Sequence, residues 1–585
     1  MEQSRNEQME VSEDVDAFDF EMLGPLTEEV RLDSGSESED EFLSAEEVRA
    51  VLEKSKDFVD EIEDEKPAES FDWSCDYEIF RGRPEPYLNA SNCGPNIEET
   101  DPLKLFTHVW DHNIMSLIVA QTNEYAWQQI SQAAESVDGI SANSRVNDWV
   151  ETTTDELYRL FGLIIFMSIV VAERVDEYWN REILAIGDGF HKVMSLKRYW
   201  LLMRFLHFVN NYNVSICGSK RKVAKIQPII DHCNVIFDSM YTARREICID
   251  ESLLLYKGPL NWVRCVRSKA ARFGIKYYEL CESKTGYLLK FEVYTGKEYP
   301  QAGSSGENSS NGFTSASAKV VLRLMEGFLH KGHCLFMDNF CNSLRLARFL
   351  KFNKTDVVGT LNRRSIGTPG EIKTPLEKKV PRGAVTSRHC GDVSVLSWKD
   401  VRLVTTVSTF HNANMMPGRR AGQLKPVVVH DYNKYTGGVD LKDRKLSMYS
   451  REPERGVKLY LKILERLINV SIFNIFIIHW QNSDNPLTHR QFRHKLVKQL
   501  VQVRPNPRVM TPPALSRLDG FNHFPMHSNS VENRVENKRV KFKRNRCVRC
   551  SLKKIRKEVN TICQKCQKFI CLGQCWIDYH TVENL

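Results

Sequence analysis

An aspartate set inside an apolar strand is the feature that most restricts what this chain can fold into. In the run Glu246–Tyr256 (EICIDESLLLY), Asp250 sits amid residues that read as a mostly buried β-strand. Burying an uncompensated carboxylate costs several kcal/mol. Such a position is tolerable if a cation neutralises it, so the rest of the fold must bring one there.

The sequence downstream supplies a framework for that. A Gly258-Pro259 turn leads to strand-like Phe273–Cys281 (FGIKYYELC) and Tyr287–Tyr294 (YLLKFEVY), joined by the turn-forming Ser283–Gly286. After a Gly/Ser/Asn loop at Gln301–Gly312 come a helix over Ala316–Leu329 and a short strand His333–Met337 ending at Asp338. A helix at Leu344–Leu350 and a strand at Thr355–Gly359 complete the series. Three strands, a helix, a strand, a helix and a strand form the plan of an α/β, ribonuclease-H-like nucleotidyl-transfer core. Two more acids, Asp440 and Asp443, stand three apart at a predicted helix start (GGVDLKD) and therefore share a face. Converging carboxylates suit two-metal phosphoryl chemistry, in which two Mg²⁺ ions roughly 4 Å apart activate the attacking oxygen and stabilise the leaving one. Any one of these aspartates alone would read as a cap, a turn residue or an ion-pair partner; together, on this strand order, they read as a metal site.

The remainder is uneven. Residues 1–70 hold 25 acids and 6 bases, so the other 515 residues carry a balance of +25 within a total of +6. That opening stretch has too little apolar surface to offset its ordering entropy and is expected to be disordered. A basic body with an acidic tail points to a polyanionic partner, nucleic acid above all. With 42% hydrophobic residues the body can bury a core. Its longest apolar run, Phe161–Ala172, is too short for the ~20 residues that span a bilayer, and the N-terminus shows no secretory leader. From Asp101 to Met240 the pattern is helical. Asp101-Pro102 and Thr152–Thr154 supply caps, and Ser195–Phe208 sets Lys197, Arg198 and Arg204 among aromatics, an arrangement that fits packing or a phosphate grip. Residues 361–430 are irregular with strand-like Val393–Trp398 and Arg402–Val407, helix resumes through Val457–Trp480, and 481–540 reads as linker with some helix.

Six of the sixteen cysteines crowd into Cys547–Cys575. Cys547-x2-Cys550 and, twelve residues on, Cys563-x2-Cys566, then Cys571, Cys575 and His580, have zinc-ligand spacing. Seven ligands make one full Zn²⁺ site and a second one ligand short, with Asp578 or another group to complete it; the spacing leaves the pairing open. Lys538–Lys557 holds eleven Lys or Arg and no acid, including Lys538, Arg539, Lys541, Lys543 and Arg544. It reads as a nuclear localisation signal, a phosphate grip or both. Lys257, Arg264, Arg267, Lys269, Arg272 and Lys276, next to the first acid, could line a DNA path.

The strings CIDESLLLYKGPL, RSKAARFGIKYYELCESKTGYLLKFEVYTGK, FMDNFCNS and YNKYTGGVDLKD, in that order, resemble the piggyBac transposase family from about residue 100 to the C-terminus. The resemblance implies a nuclear cut-and-paste DNA transposase acting as a homodimer on transposon terminal repeats and TTAA targets. Asp250, Asp338 and Asp440 take its catalytic triad, with Asp443 as the further acid of the last motif. It also implies a C-terminal cross-brace zinc module that recognises transposon ends. The expected layout is a tail (1–70), a helical DNA-binding and dimerisation domain (71–240), the core (241–360 and 431–481) interrupted by an insertion (361–430), a linker and DNA-binding or dimerisation segment (482–540) and the zinc module (541–585). Where the family is Trp-rich after the last acids, this chain reads ERGVKLYLK at Glu454–Lys462. The competing readings are a domesticated DNA-binding derivative without transposition and a ring-type adaptor built on the tail. The adaptor leaves the four aspartates without a purpose.

Overall fold

The computed structural model describes residues 71–135, 145–180, 189–211, 219–256, 263–265, 273–296, 313, 315–374, 380–418, 424–450, 458–502, 525–527, 544–564, 566 and 568–581. The acidic tail and the bases Lys257, Arg267, Lys269, Arg272, Lys538, Arg539, Lys541 and Lys543 lie outside the described residues.

The architecture is mixed α/β, built on a nine-stranded sheet. Near its middle lies β1 (Glu246–Leu255), antiparallel to β2 (Phe273–Glu282), with Asp250 opposite Glu279. β3 (Leu288–Val293) and the two-residue strand Arg264–Cys265 pair with the other edge of β2. On the opposite side of β1, β4 (Cys334–Met337) and β5 (Asp356–Thr360) follow in parallel. Segment 361–430 contributes β6 (Val385–Cys390), β7 (Val393–Lys399) and β8 (Leu403–Ser408) to this same sheet, β8 pairing antiparallel with β5 and β6 forming the far edge. Parallel pairing of β1, β4 and β5 places the C-terminal ends of β4 and β5 at one rim, and β4 leads there directly into Asp338.

The helices follow local rules. α1 (Pro102–Val109) is capped by Asp101, whose carboxylate accepts from the amides of Leu103 and Lys104, with Pro102 at the first turn. After α2 (His112–Glu135), Thr153 caps α3 (Thr154–Ile169) and Ser195 caps α4 (Leu196–Phe205), which is followed by α5 (Gln227–Met240). α6 (Ala316–Met325) and α7 (Leu344–Phe352) flank β4 in sequence, while α8 (Val427–Tyr435) and α9 (Gly438–Ser447) lead to α10 (Leu459–Asn482). α10 is apolar nearly all round and accordingly buried, packing on α1, α3, α5 and α9. α11 (His489–Gln502), in the stretch that reads as linker with some helix, packs on α3 and α1 with Phe492, Leu496 and Leu500 fully buried. No helix among the described residues is long and apolar enough to cross a membrane.

Candidate active site

Two of the four aspartates meet at the rim of the sheet. Carboxylate oxygens of Asp250 and Asp338 come within 4.8 Å of each other and of Glu251. β1 delivers Asp250 and Glu251, and the end of β4 delivers Asp338, whose carboxylate is oriented by the amides of Phe340 at 3.0 Å and Cys341 at 3.4 Å. Burial, and then the charge of Asp250, hold the Asp338 carboxyl above the ordinary carboxylate range despite those amides. Tyr432 of α8 belongs to the same neighbourhood: its hydroxyl is raised first by burial, with the charges of Asp338 and Asp250 adding to the effect. Lys276, a candidate for the DNA path, is buried and donates to Glu251 at 2.9 Å, its ammonium 4.2 Å from the Phe340 ring centroid. Hard oxygen ligands in this arrangement fit a divalent ion.

The other two aspartates ride on α9 and behave differently. Helix α9 lies close against β1 and β2 because Gly438 has no side chain: a Cβ there would fall 2.7 Å from the Cys248 sulfur and 2.8 Å from the Glu282 carbonyl oxygen. Asp440, in the first turn, is exposed and lies outside the group of three carboxylates. Asp443 is tied into a buried network. It accepts from Ser252 Oγ at 2.6 Å and from Lys442 Nζ at 2.7 Å, with Arg466 of α10 at 3.5 Å. Lys442 also binds Glu279, which receives Arg466 at 3.0 Å, and Arg466 stacks 4.7 Å from the Tyr277 ring centroid. Burial alone would raise the Asp443 carboxyl, but Lys442 and Arg466 outweigh it and hold it low.

Sequence reading misses Glu251, because a neighbour on a strand normally projects to the opposite face. It also misses Glu279, Lys442 and Arg466. The available signal is a charged residue inside an otherwise apolar run, as Glu279 is in FGIKYYELCE. Of the proposed DNA-path bases, Arg264 donates to the Tyr294 hydroxyl at 2.8 Å on the sheet edge. Lys197 pairs with Asp148, and Arg198 with Glu156 at 2.7 Å while lying over Trp149.

The C-terminal segment divides its ligands into two groups. Cys547, Cys550, Cys571 and Cys575 converge, with Cys550 Sγ 3.8 Å from Cys571 Sγ and 3.7 Å from Cys575 Sγ. Cys563, Cys566 and His580 form the second group, Cys566 Sγ lying 3.6 Å from His580 Nε2. Asp578 is engaged elsewhere, with Arg549 at 3.4 Å and Lys553 at 3.7 Å. The small core here consists of Cys547, Cys550, Cys563, Ile570, Cys571 and Tyr579, so four of its six buried side chains are themselves possible ligands. Burial raises the Cys547 thiol, yet the amides of Cys550 and Cys571 outweigh it and bring the thiol down to about 7, which favours the thiolate a metal needs. Arg544 is exposed at the start of this segment.

A family model described as "Transposase IS4" matches residues 101–476. Human PiggyBac transposable element-derived protein 3 is 24% identical over 506 residues, covering 82% of this chain and 76% of that protein. Human PiggyBac transposable element-derived protein 2 is 24% identical over 402 residues, covering 65% of this chain and 62%, less than two thirds, of that relative. Among solved structures, the piggyBac transposase synaptic complex with hairpin DNA aligns with a TM-score of 0.59 at 22% identity, over 82% of this chain and 98% of that one. This family implies use of a divalent metal, which agrees with the carboxylate group at the rim. The matched segment runs from just before α1 into α10, through every strand that brings Asp250 and Asp338 together, and the chain belongs to the piggyBac-type transposases.

Proposed function

We propose that this protein is a Mg²⁺-dependent cut-and-paste DNA transposase that cleaves and joins strands at transposon ends and TTAA targets. The observation that carries the reading is the meeting of Asp250 and Asp338, from separate strands, with carboxylate oxygens within 4.8 Å and the Asp338 carboxyl raised first by burial and then by the charge of Asp250. The strand order β3-β2-β1-β4-β5, antiparallel then parallel, supports a ribonuclease-H-like core. Asp250 and Asp338 would hold the ions, with Asp440 as third ligand from the exposed first turn of α9. Bound there, two Mg²⁺ ions would supply an activated attacking oxygen and charge stabilisation of the leaving one. The chain's own part is to fix the acids. The amides of Phe340 and Cys341 orient Asp338, and Lys276 holds Glu251 in place beside the pair. Asp443 takes the role of anchoring α9, to β1 through Ser252 and to α10 through Arg466.

The two C-terminal groups suit Zn²⁺ by donor type, thiolate and imidazole. In this reading the module recognises transposon ends, the protein acts as a homodimer in the nucleus, and the basic stretch 538–557 serves entry or DNA contact. A second reading, a domesticated DNA-binding derivative, is favoured by the exposed position of Asp440 outside the carboxylate group. A nicking and strand-joining assay on duplexes with family-type ends, with Mg²⁺ and with the Asp250→Ala variant as control, separates them. Cleavage by the wild type alone supports the transposase. Equal inactivity of both with end binding intact selects the derivative.

A further inference from the structure

A cluster of cations on the helical layer is left unused by the acid site. Arg204 near the end of α4, Lys225 in the 3-10 helix Ser219–Ile226, and Lys458 at the N-terminus of α10 are all exposed. They come together from three separate parts of the chain. Lys458 Nζ donates to the Arg204 carbonyl at 2.8 Å, and the Lys225 and Lys458 ammonium groups lie 5.9 Å and 5.8 Å from the centroid of the Tyr460 ring. Lys458 also stands 5.7 Å from the Tyr125 ring, which stacks on His207 at 4.1 Å. None of the three cations forms an ion pair with an acid among the described residues, whereas Lys197 and Arg198 on the same helix do. Like charges gathered without acids repel one another. Desolvation and then the charges of Lys225 and Arg204 bring the Lys458 ammonium down to about 8. Lys458 is moreover the N-cap residue of a 24-residue helix without a side-chain cap, so the helix dipole adds positive potential at the same place. The segment carrying Lys225, SKRKVAKI, has four bases and no acid.

We propose that Arg204, Lys225 and Lys458 form a phosphate-binding site for the backbone of duplex DNA, with the Tyr125 and Tyr460 rings holding the ammonium groups in place before the DNA arrives. Phosphate contacts of this kind position a duplex without reading its sequence. The site rests on the DNA-acting reading above and adds where the backbone is held.

The test uses the full chain. A triple variant, Arg204→Gln with Lys225→Gln and Lys458→Gln, is compared with the wild type and with the charge-retaining Arg204→Lys, Lys225→Arg, Lys458→Arg variant. Binding to a duplex of arbitrary sequence is followed by fluorescence anisotropy across a salt series. Each lost phosphate contact lowers the slope of log K against log salt by about 0.9, so the Gln variant should lose about 2 to 3 units of slope and bind about tenfold or more weakly. The charge-retaining variant should stay near wild type. Duplex should also protect Lys458 from an amine-acetylating reagent, read by mass spectrometry. An unchanged slope in the Gln variant of a DNA-binding wild type overturns the site alone. Equal weakening in both variants assigns the loss to packing and overturns it too. Failure of the wild type to bind any duplex removes the DNA reading and this site with it.

Discussion

Two sets of carboxylates lie against strands β1 and β2 and are treated in opposite ways, one joining Glu279 of β2 to Asp443 of α9 and the other joining Asp250 of β1 to Asp338 at the end of β4. Glu279, buried beneath α9 and α10, and Asp443 of α9, half-buried beside it, are matched by Lys442 and Arg466. Asp250 and Asp338 face each other at the rim, and Asp338 remains raised although Lys276 stands near. The matched set behaves as a structural clamp, since a buried pair tolerates no missing partner. The acid-rich set instead brings carboxylate oxygens of Asp250, Glu251 and Asp338 together at one point, where a divalent ion can sit. Proximity to the same two strands therefore does not make acids equivalent; the cations delivered by α9 and α10 decide which set is closed.

The sharpest break of this contrast is catalytic. Asp338→Asn should lower Mg²⁺-dependent strand cleavage by about 10³-fold or more, because metal-borne charge stabilisation is worth several kcal/mol. A gel assay on labelled ends checks it; retained cleavage would end the contrast. Next in size, Lys442→Met should destabilise the fold by about 3–5 kcal/mol, as it strands Glu279 and Asp443 without their shared cation. Denaturant midpoints measure this, and a change under about 1 kcal/mol would place the clamp among weak surface pairs. Thermal unfolding in metal-free buffer at neutral pH offers a smaller effect of opposite sign in the two sets. Asp338→Asn should raise Tm by about 1–2 °C, with the gain erased by excess Mg²⁺, while Asp443→Asn should lower it.

The pH dependence sharpens the same comparison. Asp338 has a raised folded-state pKa, so its penalty is absent below the unfolded carboxyl value near 4 and grows as pH rises through the folded value. Asp443 has a lowered one, so its stabilisation is complete above about 4 and is lost as pH falls through the folded value. In stability curves from pH 3 to 7, the Asp338→Asn advantage should therefore appear only toward neutral pH. The Asp443→Asn defect should shrink in acid.

Much of this fold was legible because its signals are local. Strands β1, β2 and β3 follow apolar runs bounded by turn residues, and β4 ends at the predicted Asp338. The caps Asp101 and Thr153 act through amides two or three residues away. β6 escapes because VTSRHC is largely polar, and α11 is legible only as some helix within a linker because HRQFRHKLVKQLVQ hides Phe492, Leu496 and Leu500 among many bases. The burial that makes α11 a packed helix comes from α1 and α3, far away in the chain.

The sequence by itself determined that Asp250 lies on a buried strand, that Asp338 closes another, and that the last cysteines are spaced as metal ligands. These follow from side-chain period, turn chemistry and short-range geometry. Only the tertiary structure decided that Asp338 joins Asp250 while Asp443 is claimed by Lys442 and Arg466, and that Arg204, Lys225 and Lys458 meet without an ion-pairing acid among the described residues. The physical reason is that a charge in a poorly solvated setting takes its meaning from partners within a few ångströms, and chain folding, not sequence distance, selects them.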